Sequence, residues 1–429
     1  MSSPLKHYKL GELCQVKHGW PFQGEYFSDE GELVVLTPAN FFEEGGFKRV
    51  AGKEKYYLGD FPKEYLCSKG DLVVAMTQQA EGLLGSTALV PEDGVYLHNQ
   101  RIGLITHNEE LVDKQFLYYL FMTAGVRKQI RNSASGTKVK HTSPEKIYDV
   151  DVEIPDINSQ KKIAGFLMSL ERKVDLNEKS TTKIEQIVSS LYDYWFLQGE
   201  YPNKDGKPYK SSGGEMIWCE ELKRDIPKGW SIGRIEDLGT IVSGGTPSTA
   251  REDYYTDNGI AWITPNDLSY QENLMYVAHG DRDITEDGLN NSSATLMPAN
   301  SILFSTRAPI GYIAIAMNEV STNQGFKSIV PNKGYGQYFI YYTIKRNTKI
   351  IAQQGAGTTF KEVSKETFSK IRVLLPPKEI VKLFEEMVDN LCAFRAVCEE
   401  ENRKLKSCKQ WLLPLLMNGQ ATIKQETTK

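Results

Sequence analysis

Two long stretches of the chain repeat apolar residues at the spacing of a coiled-coil helix. In residues 155–198 the apolar positions alternate steps of four and three residues, with Asn177 and Thr181 as the two polar interruptions. The apolar members of this series are Ile163, Leu167, Leu170, Val174, Ile184, Val188, Leu191 and Trp195. Such spacing puts one apolar seam along one side of a long helix, where a second helix can cover it.

The same seam returns 221 residues further along the chain, in residues 376–418. Its apolar members are Phe384, Val388, Leu391, Cys398, Leu405, Leu412 and Leu416. Arg395, Asn402 and Lys409 interrupt it, and Asn177 and Asn402 are expected to fix the register of the helices. Each stretch follows a proline, which often marks a helix start. Because each helix leaves a different half of the chain, their pairing predicts an antiparallel coiled coil.

Short apolar runs bounded by Gly, Asp and Pro precede each long helix and are typical of β-strands. In the first half these runs lie at residues 33–36, 71–76, 88–90 and 102–105, before a helical pattern at 114–131. In the second half they lie at 261–263, 301–304, 312–315 and 327–330, before a helical pattern at 337–354. The shared order predicts two similar domains of mixed α and β structure.

Local matches between the halves support an internal duplication. The matched segments are 34–38 with 261–265, 69–74 with 299–304, Asn99-Gln100 with Asn323-Gln324, and 136–140 with 357–361. The predicted fold class is α+β, with two similar mixed α/β domains separated by a long antiparallel two-helix coiled coil. The predicted boundaries are 1–155 for the first domain, 156–198 for the first helix, 199–228 for a polar, weakly structured linker, 229–376 for the second domain, 377–418 for the second helix and 419–429 for a tail.

Composition places the chain among globular proteins with enough apolar residues for real cores. It has 429 residues, of which 40% are hydrophobic and 25% charged, and a net charge of −4. We expect no membrane span and no signal peptide, because no apolar run is long enough. Six cysteines without a C-x-x-C pair favour reduced thiols and a cytoplasmic protein. The net charge is compatible with nucleic-acid binding, which needs only a local positive face.

Sequence motifs of common active sites are missing from the chain. It contains no G-x-x-x-x-G-K-[ST] loop, no G-x-G-x-x-G after a strand, and no H-E-x-x-H. It also lacks the Asn-Pro-Pro or Asp-Pro-Pro segment with which amino-methyltransferases hold a flipped base. The six histidines are dispersed without metal-ligand spacing. These absences predict a protein that is not itself an enzyme and has no metal or cofactor of its own.

Polar and basic residues recur at strand ends and turns of both halves. In the first half they are Thr37, Asn40, Thr77, Gln78, Gln79, Asn99, Gln100, Arg101, Thr137, Lys138 and Lys140. In the second half they are Thr264, Asn266, Thr306, Arg307, Asn323, Gln324, Lys327, Thr358, Thr359 and Lys361. Asn and Gln can bind adenine, Arg and Lys can bind guanine, and Thr and Lys can hold phosphates. Both sets are therefore candidate DNA contacts, although such residues also serve as strand caps and turns.

The order of mixed domain, long helix, mixed domain, long helix resembles the specificity subunit of type I restriction–modification enzymes. The likeness extends to Ile226-Pro-Lys-Gly-Trp230 at the start of the second half and to Tyr194-Trp-Phe196 at the end of the first helix. It includes Gly206-Lys-Pro-Tyr209 in the linker and residues 411–419 at the end of the second helix. The resemblance covers essentially the whole chain, but the first half begins without a Pro-x-Gly-Trp segment.

This resemblance implies a DNA-binding subunit of a larger complex. Each mixed domain would be a target-recognition domain for one half of a gapped sequence in double-stranded DNA. The helices would set the gap and bind two methyltransferase subunits, which would carry S-adenosylmethionine and methylate adenine; motor-nuclease subunits would join for restriction. From the residues alone two alternatives stay open: a coiled-coil scaffold whose duplicated domains bind proteins, and a nuclease or methylase whose active site has no recognisable motif.

Overall fold

The computed structural model describes residues 4–50, 52–78, 82–269, 274–356 and 361–423 of the chain. It contains two compact units: the first is Met1–Val174 with Arg403–Lys429, and the second is Asp175–Asn402. Each unit holds one mixed domain together with a part of each long helix. The boundaries of the units therefore cut across both helices, whereas the domain boundaries predicted from the sequence lie at the helix ends.

The two long helices are Ile157–Tyr192, which continues as a π-helical turn at Asp193–Leu197, and Lys378–Met417. The bounds predicted from the apolar spacing, 156–198 and 377–418, differ from these by one residue at each end. Spacing predicts helix limits well here because the seam extends over almost the full length of each helix.

Polar interruptions of the seam pair with residues of the opposite helix inside each unit. In the first unit Lys409 forms an ion pair with Glu171, close to the buried Leu167. In the second unit the side-chain amide of Asn177 donates to Asn402 Oδ1 at 2.9 Å, and both side chains are buried. In both pairs an early residue of one helix meets a late residue of the other, so the helices are antiparallel and the predicted fold class is confirmed.

The mixed domain of the first unit contains two four-stranded sheets. One sheet has the strand order Cys14–His18, Ile102–His107, Leu72–Ala75, Thr87–Leu89, and the other has the order Phe27–Ser28, Tyr56–Tyr57, Val34–Val35, Tyr96–Leu97. Two-stranded pairs join Lys6–Lys9 to Asp151–Ile154 and Thr77–Gln78 to Lys140–His141. The shorter helices are Leu10–Leu13, Lys114–Met122, Ala124–Ser133 and Pro144–Tyr148, with 3₁₀ turns at Gly24–Tyr26, Pro38–Asn40 and Lys63–Tyr65.

The central strand Leu72–Ala75 separates two apolar cores of this domain. Its side chains alternate between the faces of the sheet, because successive residues of a strand point to opposite sides. Leu72 and Val74 belong to the core that includes the helix Lys114–Met122, whereas Val73 and Ala75 belong to the core beside the second sheet. The end of this strand is therefore held firmly from both sides.

The mixed domain of the second unit has the corresponding sheets. The five-stranded sheet has the order Thr240–Ser243, Lys327–Val330, Ile302–Thr306, Ile310–Ala316, Tyr276–Val277, and the four-stranded sheet has the order Tyr255–Thr256, Arg282–Ile284, Ile260–Ile263, Val320–Thr322. Two-stranded pairs join Ser231–Arg234 to Arg372–Leu375 and Met216–Cys219 to Arg224–Pro227. The shorter helices are Ile235–Leu238, Pro265–Ser269, Glu286–Asn290, Gln337–Gln353 and Lys365–Lys370, with a 3₁₀ turn at Glu252–Tyr254.

One helix expected from the pattern is two helices in the structure. The apolar spacing of residues 114–131 predicts a single helix, but Lys114–Met122 and Ala124–Ser133 are separated by Thr123. The backbone of Thr123 is extended, and its hydroxyl oxygen accepts the N–H of Val126 at 3.5 Å. A threonine that can cap a helix start competes with continuation of the helix. In the second unit the equivalent element is the single helix Gln337–Gln353.

The segment between the first long helix and the second mixed domain is packed, which differs from the weak structure expected of it. It forms the hairpin Met216–Cys219 with Arg224–Pro227. Tyr201 is buried, stacks on Tyr209 with ring centroids 4.7 Å apart, and lies 5.2 Å from the ring of Trp230. Polar composition predicts a linker, but three aromatic rings provide enough apolar surface to fix it.

Candidate nucleic-acid interface

Three backbone segments of the first unit meet at the end of its central strand. The N–H of Met76 donates to the carbonyl of Arg101 at 3.0 Å, and the N–H of Thr142 donates to the carbonyl of Met76 at 2.9 Å. We call this arrangement the frame of the first unit and define it as residues 76–78, 99–101 and 140–142. The frame brings three of the loci expected from the sequence into one place.

The second unit repeats this frame with the same hydrogen bonds. The N–H of Thr306 donates to the carbonyl of Gly325 at 2.7 Å, and the N–H of Val363 donates to the carbonyl of Thr306 at 3.0 Å. The frame of the second unit comprises residues 305–307, 323–325 and 361–363. Met76 and Thr306 are therefore structurally equivalent. This equivalence extends the sequence matches to positions where the two halves have different residues.

The two matched asparagines hold the turns of the frames. Asn99 Oδ1 accepts the N–H two residues further on at 2.6 Å, and Asn323 Oδ1 does the same at 2.9 Å. Asn99 is buried and Asn323 is half-buried, whereas the residues that follow, Gln100 and Gln324, are exposed. Each asparagine is thus engaged in its own turn and presents the next glutamine to solvent.

The matched Thr-Pro segments are also turns. The side chain of Asn40 accepts the N–H of Thr37 at 2.9 Å, and the side chain of Asp267 accepts the N–H of Thr264 at 2.6 Å. Asn40 is buried, while Asn266 is exposed beside the second turn. For these threonines the structure supports the alternative that the sequence leaves open, namely local capping.

Four further candidates have side chains that are buried in the interior of their domain. Gln78 Oε1 accepts a backbone N–H at 2.8 Å, and the Thr306 hydroxyl donates to a backbone carbonyl at 3.2 Å. The Thr77 hydroxyl lies 3.0 Å from His141 Nδ1. The side chain of Lys327 is only 9% exposed. Residues without access to solvent cannot bind DNA in this conformation, so the expectation of direct contact is corrected for these four positions.

The remaining described candidates reach the surface. In the first unit they are Gln100, Arg101, Thr137, Lys138 and Lys140, all exposed. In the second unit Asn266, Gln324 and Lys361 are exposed and Arg307 is half-exposed. Gln79, Thr358 and Thr359 lie outside the described residues. The exposed glutamines, arginines and lysines provide the donors and positive charge that DNA bases and phosphates require.

An aromatic and basic cluster beside the first frame lies outside the set of residues predicted from the sequence. Trp20 is 36% exposed, and its carbonyl accepts the N–H of Gln100 at 3.2 Å. Its ring centroid lies 5.4 Å from that of Tyr65, and Lys17 Nζ lies 4.5 Å from the Tyr65 ring. Aromatic faces and a nearby cation suit nucleic-acid contact. The sequence signal that could have revealed this cluster is the Lys-His-Gly-Trp segment of residues 17–20, at the end of the strand Cys14–His18.

The carboxylate of Glu362 lies between two cations of the second unit, Arg307 in the frame and Lys327 two residues beyond Gly325. Glu362 Oε2 is 3.7 Å from Arg307 Nη1, and Glu362 Oε1 is 3.7 Å from Lys327 Nζ. Burial lowers the pKa of Lys327, and Glu362 opposes this effect while Arg307 adds to it. Together, Glu362, Arg307 and Lys327 carry one net positive charge.

Two other kinds of feature are absent from the described residues, a metal-binding cluster and a membrane-spanning helix. Within it, no group of three or more His, Cys, Asp or Glu side chains is arranged to hold a metal ion. Among the same residues, no helix combines the length and the apolar character needed to cross a membrane. The duplicated frames are therefore the best-defined candidate site.

Two copies of one frame, each with exposed polar and basic side chains, together with paired long helices, define a duplicated protein with two related polar surfaces. The chain matches the family described as type I restriction modification DNA specificity domain, over residues 3–186 and again over 227–407. Because these two matches cover most of the chain, it belongs to this family. Members of the family recognise DNA targets and have no catalytic activity of their own.

Similar proteins agree with this assignment. The chain is 26% identical over 377 residues to the type I restriction enzyme HindI specificity subunit of Haemophilus influenzae, covering 76% of this chain and 81% of that protein. It is 36% identical over 186 residues to the MjaIX specificity subunit of Methanocaldococcus jannaschii, covering 40% of this chain and 43% of that protein. The crystal structure of a type I restriction–modification S subunit from M. genitalium covers 97% of this chain and 96% of its own, with a TM-score of 0.63 at 13% identity, and shows the shared fold.

Proposed function

We propose that the chain reads a bipartite, gapped sequence in double-stranded DNA, one half with each frame. The observation that carries this proposal is the repetition of one backbone frame in which some side chains are shared and others, such as Thr77 and Arg307, differ. A single frame repeated with identical side chains would read two identical half-sites. Two frames that differ suit a target with two unequal halves.

The exposed residues of each frame divide into two roles in this proposal. Gln100 and Gln324 occupy equivalent turns and present amide groups that can pair with adenine through two hydrogen bonds. Lys140 and Lys361 also occupy equivalent positions, and both are exposed. Lysine at a matched, exposed site suits phosphate binding, which is common to all sequences.

The long helices are proposed to set the gap between the half-sites. They have 36 and 40 residues. At about 1.5 Å per residue their lengths are roughly 54 and 60 Å. One turn of DNA spans about 34–36 Å. Helices of this length are therefore long enough to serve half-sites that lie more than one turn apart.

The second long helix also has a surface that suits a protein partner. Within the second unit Leu383, Met387, Phe394 and Val397 are exposed, and their spacing places them on one face of the helix. This face differs from the buried seam, which includes Phe384. Exposed apolar patches of this kind mark protein interaction sites.

We assign this apolar face to a methyltransferase subunit and propose that two such subunits bind per chain. The methyltransferases would carry S-adenosylmethionine and methylate adenine, and motor-nuclease subunits would join the complex for restriction. The duplication of the long helices supports the number two, while the exposed apolar face itself is a feature of the second helix.

A pair of matched substitutions tests the two-reader proposal. Gln324→Ala should change the base preference in one half-site only, and Gln100→Ala should change it in the other half-site only. Loss of one bidentate base interaction should reduce discrimination by roughly 1–3 kcal/mol. The measurement is sequencing of methylated sites in cells that express the chain with its methyltransferase partner.

Each of these variants is the control for the other. If both variants changed the same half-site, or if neither changed any, the assignment of one reader to each unit would be wrong. If the unaltered complex bound random duplex without a salt-dependent component, a protein scaffold would replace DNA recognition as the function, because phosphate contacts always give a salt slope.

A further inference from the structure

The two frames carry different chemistry at equivalent backbone positions. In the first unit Ser135 and His141 form an isolated bridge, and Thr77 lies against His141. In the second unit Ala356 and Glu362 form the same bridge, and Arg307 lies against Glu362. At this place the first unit therefore has a pair of Thr and His without a fixed charge, whereas the second unit has a charged pair of Arg and Glu.

A third position also has a charged residue in the second unit and an uncharged residue in the first. Lys327 pairs with Ser243 across the sheet of the second unit, and Gly103 pairs with His18 in the equivalent place of the first unit. A side chain at Gly103 could not be accommodated, because an added Cβ would lie 2.4 Å from a methyl carbon of Val16. Beside the first frame there is thus no room for a buried cation like Lys327, which lies beside the second frame.

The geometry around Glu362 suits temporary rather than permanent pairing with Arg307. Both Arg307 Nη1 and Lys327 Nζ lie 3.7 Å from a Glu362 oxygen, beyond the range of a good hydrogen bond, so the two cations differ in exposure and not in distance. The Arg307 side chain is 34% exposed, so its guanidinium can reach solvent, whereas Lys327 is held in the interior. If Arg307 leaves, Glu362 still has Lys327 as its counter-ion.

We propose that Arg307 reads a guanine in the half-site of the second unit and that Glu362, anchored by Lys327, is its positioning residue. This inference rests on the proposed function and deepens it. Arg307 would leave Glu362 for the O6 and N7 atoms of guanine, the base edge that matches a planar guanidinium. Lys327 would then neutralise Glu362, which would otherwise repel the DNA phosphates. The first half-site has no equivalent reader, since its frame carries Thr77 at this position.

The test compares base preferences of purified complexes of the chain with its methyltransferase, using a library of duplexes with both half-sites randomised. Arg307→Ala should abolish the preference for guanine at one position of one half-site, about 5- to 150-fold in relative affinity. Arg307→Lys should restore the charge but not the full preference, because lysine lacks the planar fork. The preferences in the other half-site should stay unchanged.

Glu362→Gln tests positioning separately from folding. It should weaken the same guanine preference while the melting temperature and the affinity for random duplex stay close to those of the unaltered complex. His141→Gln, at the equivalent place of the first unit, is the matched control and should leave this preference intact.

The possible failures are distinguishable. An unaltered complex without any sequence preference would overturn the proposed function itself. A sequence-specific complex in which Arg307→Ala keeps every preference would overturn only the assignment of Arg307. A uniform loss of affinity for all duplexes in Glu362→Gln would show that Glu362 is structural and would overturn its positioning role.

Discussion

Replacement of Arg395 by methionine should strongly destabilise the second unit, although an apolar residue would normally suit a position in an apolar seam. Arg395 interrupts the seam of the second long helix, and its side chain is 3% exposed. Its Nε donates to Glu399 Oε1 at 2.6 Å, and its guanidinium also forms an ion pair with Glu185 of the first long helix. Burial opposes the charge, but Glu399 and Glu185 outweigh it and raise the pKa of Arg395 above its ordinary value.

Glu399 connects this ion pair to the sheet of the same unit. Its side chain is 1% exposed, and its carboxylate accepts the N–H of Met275 at 3.1 Å and the N–H of Tyr276 at 3.0 Å. Arg395→Met replaces the aliphatic part of the arginine by an apolar side chain of similar length. It leaves the Glu399 carboxylate buried without the Arg395 cation. Removal of one partner from a buried pair costs roughly 3–5 kcal/mol.

The double variant Arg395→Met with Glu399→Gln should be more stable than Arg395→Met alone. It removes both charges, and the amide oxygen can still accept the two backbone N–H groups. Glu185 would retain Lys345, whose Nζ lies 2.8 Å from it. The two substitutions should therefore be strongly non-additive, as expected for residues of one network.

Chemical denaturation followed by circular dichroism measures the stability, and hydrogen exchange at Met275 and Tyr276 locates the loss. Lys382→Met is the matched control, because Lys382 lies on the same helix and forms only an exposed ion pair with Glu386 at 3.8 Å. The control should stay within about 0.5 kcal/mol of the unaltered chain. If Arg395→Met also stayed within about 1 kcal/mol, or if the double variant were no more stable, the ion pair would not stabilise this unit as argued.

Two further predictions concern DNA binding. Alanine at both Lys140 and Lys361 should weaken binding to all sequences alike and reduce the slope of log K against log salt by about 0.9 for each phosphate that is no longer neutralised; an unchanged slope in a folded variant would remove both lysines from the interface. Insertion of one heptad after Lys173 and another after Lys406 keeps the seam in phase and lengthens each helix by about 10 Å. Selection from duplexes with variable gaps should then favour a gap longer by roughly 3 base pairs, whereas retention of the original gap at the original affinity would show that the helices do not set it.

The sequence predicts the long helices well because their signal is periodic and extends over many turns. Asn177 and Asn402 are expected to fix the register, and they are bonded to each other at 2.9 Å. The break at Thr123 is not predictable in the same way. The residues on both sides of it continue a helical pattern, and only the folded backbone shows that its hydroxyl caps a second helix.

The candidate site is predictable in its location but only partly in its members. Asn99-Gln100 with Asn323-Gln324 and Lys140 with Lys361 lie in the two frames, whereas the matched Thr-Pro segments form turns outside them. Residue type alone cannot separate Asn99, which closes a turn, from Gln100, which is exposed beside it. Identity between the halves also does not reveal His141 and Glu362, since they differ at equivalent positions.

The difference between His141 and Glu362 at equivalent positions shows that shared and unlike residues of the two frames should be considered separately. Residues that are the same in both frames suit tasks common to the two proposed half-sites: Asn99 and Asn323 close the turns, and the exposed Lys140 and Lys361 are proposed to bind phosphates. Shared residues such as Gln100 and Gln324 would favour the same base in both proposed half-sites, so a difference between unequal halves needs another source. It has to come from equivalent positions with unlike side chains, and the pair of Thr77 and Arg307 is such a position, fixed in both units by the same backbone hydrogen bonds.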